Sequence, residues 1–379
     1  MRKSLKQLIQ NIFSAERNEH EPDRNLIITI GIIVVFGLVM LSSASSVVAY
    51  AEFGDSYHYL KHQLVGLALG VMAFFFFSRV DYHRWRKYAF GLLIFSVFLL
   101  SLVFVPGLGK IVNGSRSWIE IFGQSLQPSE FVKLSFLLYL AAWLESRGKN
   151  LADFHQGIGP FIIVLGVIAG LILLQPDFGT LFIIIITSFV VYFVSGGSLK
   201  HIIITGLIGI IGFTALIFTN EHQLDRFRCY KNPDFSPQDK CYQLRQSLIA
   251  VGSGGILGRG LGASRQKYMY IPEVQNDFIF SIIAEETGLI VSGLLVLLFI
   301  YLFYKGIAIA QKAPDGFGRN LAVGIVAWIV FQAILNIGGI INGLPMTGVP
   351  LPFISLGGSA MVASLAAVGI LVNISKQTR

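Results

Sequence analysis

The stretch IGPFIIVLGVIAGLILLQPDFGTLFIIIITSFVVYFVS, residues 158–195, carries a single charged side chain, Asp177. Its two halves are unbroken apolar runs, and QPDFGT (175–180) separates them. Each run approaches the ~20 apolar residues that a helix needs to cross a bilayer. A membrane barrel would alternate apolar and polar positions instead. Backbone in lipid must satisfy its own hydrogen bonds, which a helix does unaided. Pro176 and Gly179 end one helix and restart another, so the stretch predicts two spans joined by a polar turn. Asp177 reads first as the cap of the second helix and, alternatively, as the lining of a cavity.

The same pattern runs through the chain. Of 379 residues, 54% are hydrophobic and 13% charged, with a mean hydropathy of +0.68. Further apolar runs at 26–48, 61–78, 88–105, 129–144, 201–219, 277–304, 321–341 and 358–374 join those at 158–174 and 179–195. The expectation is an all-α polytopic membrane protein of about ten transmembrane helices. Residues 1–25 and 375–379 form tails around a membrane domain at 26–374. The tail 1–25 and the loop RVDYHRWRK (79–87) hold nine Lys and Arg between them. The positive-inside rule then places them, and both termini, in the cytoplasm. Ala49-Tyr50-Ala51 resembles a signal-peptidase site, but the long run and the charged tail before it favour an uncleaved anchor.

The large loop 220–276, between spans seven and eight, falls outside the cytoplasm. It nevertheless holds Arg226, Arg228, Lys231, Lys240, Arg245, Arg259, Arg265 and Lys267. Long loops are exported regardless of charge, so this excess asks for an anionic partner. Cys229 and Cys241 both lie in it, and their spacing permits a disulfide in an oxidising compartment.

Polar chemistry gathers on this outer side. In the loop 106–128, Arg116 and Trp118 suit the headgroup region, where a guanidinium can fork onto phosphate. An interfacial anchor is the plainer reading. Glu130 and Lys133, three apart, share a helix face and can pair near a phosphate. The segment NGLPMTGVPLPFISLGGSAM (342–361) brings Ser355, Gly357, Gly358 and Ser359 to a helix N-terminus, which favours an anion. Finally, PEVQNDFIFSIIAEETG (272–288) places Asp277 where a polar loop becomes an apolar run. Asp277 reads equally as a helix cap and as a catalytic base. Helical geometry sets Glu285 and Glu286 apart from it as acids needing partners inside the bundle.

Taken together, GSRSWI, LQPSEFVK, QPDFGT, YQLRQSLIAVGSGGILGRGLG, PEVQNDFIFSIIAEETG and TGVPLPFISLGG resemble the SEDS family (shape, elongation, division and sporulation), from about Ser42 to Asn373 and in the family's order. The segment QSLIAVGSGGILGRGLGASRQKYMYIPE is more similar to division-type, FtsW-like members than to RodA. The resemblance implies a ten-span peptidoglycan glycosyltransferase of the bacterial cytoplasmic membrane, at the division septum. It would polymerise lipid II at the extracytoplasmic face with Asp277 as general base. Arg116, Glu130 and Lys133 take the places of the family's GSR and QPSE-x-x-K residues, while Arg265, Lys267, Asp177 and Glu285 are candidate supporting groups. A divalent cation, Mg or Mn, is compatible with this chemistry, although no ligand set is evident, and no organic cofactor is implied. The implied partners are lipid II and the growing glycan, a class B penicillin-binding transpeptidase and other divisome proteins, with no nucleic acid. A lipid II flippase and a RodA-type elongation polymerase are the alternatives. The chain departs from the family at Gln275-Asn276, at EETG and at ISLGGSA, which bears on what contacts the substrate beside Asp277.

Overall fold

The structure is a computed structural model that describes residues 20–112, 115–121, 124–236 and 238–378. The basic residues of the tail before His20, on which part of the orientation argument rests, and Arg379 lie outside the described residues.

All ten expected runs are helices. They are α1 (Arg24–Phe53), α2 (His58–Arg79), α3 (His83–Leu102), α4 (Pro128–Arg147), α5 (Gly159–Leu173), α6 (Phe178–Val194), α7 (Leu199–Thr219), α10 (Ile279–Lys312), α11 (Gly316–Ile340) and α12 (Gly358–Ser375). Two further helices, α8 (Glu221–Lys231) and α9 (Tyr242–Gly254), lie in the large loop between α7 and α10. Among the described residues, seven helices are long and apolar enough to cross a membrane by those criteria alone. The protein is an integral membrane protein built on helices. The exception to the all-helical reading is a small antiparallel sheet in the first polar loop, with order β1 (Gly109–Val112), β2 (Ser115–Ile121), β3 (Gln124–Leu126). Lys110 pairs with Trp118, and Ile119 with Leu126.

Helix packing separates centre from rim. Over their most apolar windows α11 and α12 are 78% and 83% buried, whereas α2 is 17% buried and turns most of its surface to lipid. Where α2 does meet α12 it uses small residues. A Cβ on Gly66 would lie 2.7 Å from the Cα of Gly358, and one on Gly70 2.7 Å from Leu365. Without a hydrophobic drive between helices in lipid, such close backbone approach is what binds them.

Two boundaries differ from expectation. The helix after the large loop begins at Ile279, so Asp277 stands outside it, in the preceding turn. That helix is also broken at Gly288, whose φ of 71° and ψ of −175° are not helical. A side chain there would collide with the amide nitrogen of Gly258 at 2.2 Å. The break lets a foreign segment pair with the helix. Leu289 N donates to Gly255 O at 2.9 Å, while Arg259 N and Gly260 N donate to the carbonyls of Glu285 and Glu286. Thus α9 and the return segment 255–278 form a hairpin laid along the first turns of α10.

Candidate active site

Asp277, Arg226, Asp177 and Gly348 meet at the end of the bundle that carries α8, α9 and the sheet. Each arrives by a different route. Asp277 closes the turn before α10, and its carbonyl accepts from Asn336 Nδ2 at 2.7 Å. The same amide group of α11 bonds Val349 O at 2.8 Å, so one side chain ties Asp277 to the segment 342–357. The Ser355 hydroxyl adds a second tie by donating to Asn276 O at 2.6 Å, and Leu356 N donates to Gln275 O at 2.9 Å. Asp177 caps α6, where its Oδ1 accepts from Thr180 N at 3.0 Å. Arg226 comes from α8, which the Cys229–Cys241 disulfide pins to the start of α9.

Gly348 is the floor between them. Its φ is +72°, and a Cβ there would lie 3.3 Å from Arg226 Nη2 and 3.4 Å from Asp277 Oδ2. The guanidinium and the carboxylate therefore face each other over bare backbone. No ion pair within 4.0 Å joins them among the described residues. The N-terminal turn of α6 abuts the same backbone, since a Cβ on Gly179 would meet Thr347 O at 2.8 Å.

The capping reading of Asp277 does not hold. Phe278 is the N-cap residue of α10 and accepts no side-chain cap bond. Among the described residues no hydrogen bond reaches the Asp277 carboxylate, which leaves it free for a ligand. Burial pushes its pKa up to about 6, against the pull of Arg226, with Glu273 and Asp177 adding to the rise. Burial likewise lowers Arg226 from its ordinary value, while Asp277 and Asp177 oppose the shift. A carboxylate poised near neutrality beside a desolvated cation suits proton abstraction next to an anionic group.

Several expected site residues are engaged elsewhere. Lys133 is buried, bonded to Glu130 Oε1 at 2.7 Å and Gln332 Oε1 at 2.9 Å, with its ammonium 4.9 Å from the Trp328 ring centre. Two of its three N–H donors are taken up inside the bundle. Gln332 in turn donates to Pro350 O at 2.9 Å, so the pair supports the 342–357 segment. The residues expected at an anion-binding helix start are internal joints too. Gly357 N donates to Gln63 Oε1 at 3.0 Å, Ser359 Oγ accepts from Gln127 N at 3.1 Å, and Gly358 is the residue packed on Gly66.

Arg116 reaches back to Val105 O at 3.5 Å, on the strand that also presents Trp118. The neighbouring Ser115 hydroxyl bonds Gln175 O at 2.5 Å, which brings the sheet against the QPDFGT turn. Glu285 and Glu286 hold the hairpin. Glu285 accepts from the Ser264 hydroxyl and from the amides of Arg265 and Gln266. Glu286 pairs with Lys267 Nζ at 3.1 Å and accepts from Ser43 at 2.8 Å. Lys267 is thus consumed by an internal ion pair, whereas the Arg265 side chain stays exposed.

Sequence reasoning missed Arg226 and Glu273 as site residues. Arg226 was one basic residue among many in its loop, and its selection depends on how α8 folds back.

A divalent cation does not fit as a protein-caged ion. Among the described residues no three His, Cys, Asp or Glu groups lie close enough to hold a metal. No step below is routed through one.

Comparison with known proteins agrees with this architecture. The family model of the FtsW/RodA/SpoVE cell cycle proteins matches residues 23–379. Stage V sporulation protein E of Bacillus subtilis (strain 168) is 43% identical over 361 residues, covering 94% of this chain and 98% of the relative. A protein of Geobacter sp. (strain M18) named "Probable peptidoglycan glycosyltransferase FtsW" is 38% identical over 92% of this chain and 95% of its own length. Among solved structures, one from a peptidoglycan synthase complex, solved for the coordination of polymerization and crosslinking, superposes with a TM-score of 0.77 at 27% identity, covering 93% of this chain and 97% of the other. The rod shape determining protein RodA of Thermus thermophilus superposes with a TM-score of 0.69 at 28% identity, over 94% and 98%. With its fold, its motifs and nearly its whole length matched, the chain belongs to the FtsW/RodA/SpoVE family, the SEDS family of cell cycle proteins.

Proposed function

We propose that the protein is a peptidoglycan glycosyltransferase that polymerises lipid II at the extracytoplasmic face of the bacterial cytoplasmic membrane. The observation that carries this reading is the unbonded, partly buried Asp277 carboxylate facing Arg226 across Gly348. Asp277 takes the proton from the sugar 4-hydroxyl of an incoming lipid II. The resulting oxygen attacks the anomeric carbon of the growing chain, and the bond from that carbon to the pyrophosphate breaks. Undecaprenyl pyrophosphate leaves with the bonding electron pair. Arg226 stabilises the negative charge that accumulates on the pyrophosphate, as a preorganised cation in a desolvated site. Exposed Arg265 and the strand bearing Arg116 offer further positive charge at the same end.

Both termini are assigned to the cytoplasm, which puts the Asp277 end outside. The chain's likeness to a component of a peptidoglycan synthase complex supports a class B transpeptidase partner. The names of its FtsW relatives support a septal role. A second reading, polymer synthesis during sporulation, is favoured by the 43% identity to stage V sporulation protein E. Deleting the gene separates the two: filamentous cells mark the septal role, and normal division with defective spore wall marks the other.

The enzymatic test uses the purified protein, with its transpeptidase partner, and lipid II in reconstituted membranes. Asp277→Asn is expected to fold normally and to lose polymer formation by at least about a hundredfold, the usual scale for a general base. Parental rates from that variant would remove Asp277 from the mechanism. Transbilayer movement of labelled lipid II without polymer would identify a flippase instead.

A further inference from the structure

Two amide side chains on one face of α11 hold the backbone on both sides of the site. Gln332 and Asn336 stand four residues apart, one turn along that face, and both are buried. We propose that Gln332 is a positioning residue for glycosyl transfer, an inference that rests on the function proposed above. It carries the hold of the buried Glu130–Lys133 pair to the backbone that sets Gly348 against Asp277.

The surroundings of the Gln332 amide fix its orientation. Its Oε1 accepts from Lys133 Nζ at 2.9 Å and from Trp328 Nε1 at 2.9 Å. Two donors on one atom identify the oxygen, so the NH2 group is the end that reaches Pro350 O at 2.9 Å. Lys133 is itself held by Glu130 Oε1 at 2.7 Å, with both side chains 2% exposed. A dehydrated chain of charge-assisted bonds is a stiff anchor for a loop.

The next carbonyl is captured by the next turn of α11. Val349 O accepts from Asn336 Nδ2 at 2.8 Å, and the same NH2 group holds Asp277 O at 2.7 Å. Gly348 follows directly, the residue whose missing side chain leaves room between Asp277 and Arg226. A shift of Pro350 therefore moves Val349, the floor at Gly348 and the amide that holds the base. Proton abstraction needs hydrogen-bond reach, and a misplacement of about 1 Å costs on the order of a hundredfold in rate. Substrate grip need not change. On this reading Glu130 and Lys133 act on the base through Gln332.

The test uses full-length variants with the transpeptidase partner and lipid II in reconstituted membranes. Gln332→Glu can still accept from Lys133 and Trp328. Ionised beside Lys133, it has no proton for Pro350 O, so only the link to the segment is cut. Its kcat is expected to fall at least about tenfold, with KM for lipid II within about twofold. The neutral Gln332→Met should lose kcat similarly and move the midpoint of its pH profile below about 6, because a loosened turn admits water to Asp277. Asn373→Asp cuts one buried amide bond, to Ser78 O, at the other end of the bundle. It should lower the thermal midpoint and leave kcat within about twofold. Hydrogen exchange, which needs no turnover, should quicken across 273–278 and 347–351 in both Gln332 variants. Parental kcat in both, a loss expressed in KM, or unchanged exchange in those segments would overturn the proposal. An equal loss of kcat in Asn373→Asp would overturn it too, by making the effect one of stability. A parent protein that makes no polymer would overturn the enzymatic reading instead, and exchange would still decide whether Gln332 holds the turn.

Discussion

Among the described residues, no donor reaches the Asp277 carboxylate to make it a quiet structural acid. Its backbone is fixed by Asn336 while its carboxylate is left to burial and to Arg226. A base must be ionised to act, so the rate of polymer formation should rise with pH through about 6, as a pH–rate profile would record. The same shift weakens the fold. A carboxyl whose folded pKa lies above its unfolded 3.8 binds its proton more tightly when folded, so stability falls as pH rises from about 4 through about 6. Asp277→Asn should therefore be inactive yet more heat-stable at pH 7, on the order of 1–2 kcal/mol after allowing for partial solvent access. Arg226→Lys keeps the charge but not the planar fork, and should lower kcat at least about tenfold. Asp277 was legible in the sequence because a lone acid at a polar-to-apolar boundary is conspicuous. Arg226 was not, because nothing local distinguishes it from Arg228 or Lys231.

At the scale of elements, buried polar groups explain why the 255–278 segment stays where it is. Glu285 and Glu286 take five backbone amide and hydroxyl donors of that segment and of α1, and Lys267 neutralises Glu286. Removing one partner strands the other, which typically costs about 3–5 kcal/mol. Lys267→Met should accordingly lower the thermal midpoint sharply and loosen the turn carrying Asp277, while the Lys267→Met/Glu286→Gln pair should recover part of the loss. The apolar runs announced the spans because length and continuity alone define a membrane helix. The break at Gly288 was not legible. A single glycine in a long apolar run says nothing until Gly258 is packed against it. The three-stranded sheet escaped notice for a similar reason: its strands are short and mix polar with apolar residues.

Across the whole molecule the two ends do different work. At the end of the bundle opposite Asp277, Tyr82 donates to Asp315 at 2.6 Å, His83 bridges Asp81 and Asp315, and Tyr82 N donates to Asn373 at 2.8 Å. The ion pairs of His83 join the start of α3 to that of α11, and the neutral bond to Asn373 adds α12. Burial raises the pKa of Asp81, but the hydrogen bonds of His83 outweigh it and hold the group at about 2. This depressed carboxylate contributes stability above its unfolded pKa and loses it as pH falls from about 4 to about 2. Hydrogen exchange should find this end opening first in acid. The assigned orientation has its own check. Single cysteines placed in the loops 79–82 and 342–347 of a variant with Cys229 and Cys241 replaced should be labelled from opposite sides of the membrane.

The bond between Cys229 and Cys241 gives the protein a maturation step. None of the ten span helices carries either cysteine, and Asp277, Asp177 and Gly348 all lie outside the short loop that the disulfide closes. Arg226 alone rides on the helix that the disulfide anchors. On the assigned topology the two sulfurs meet an oxidant only after export, so Arg226 is expected to be the last residue fixed in the proposed site. Synthesised under reducing conditions, it should be complete in sequence, integrated in the bilayer and silent until its two sulfurs are joined.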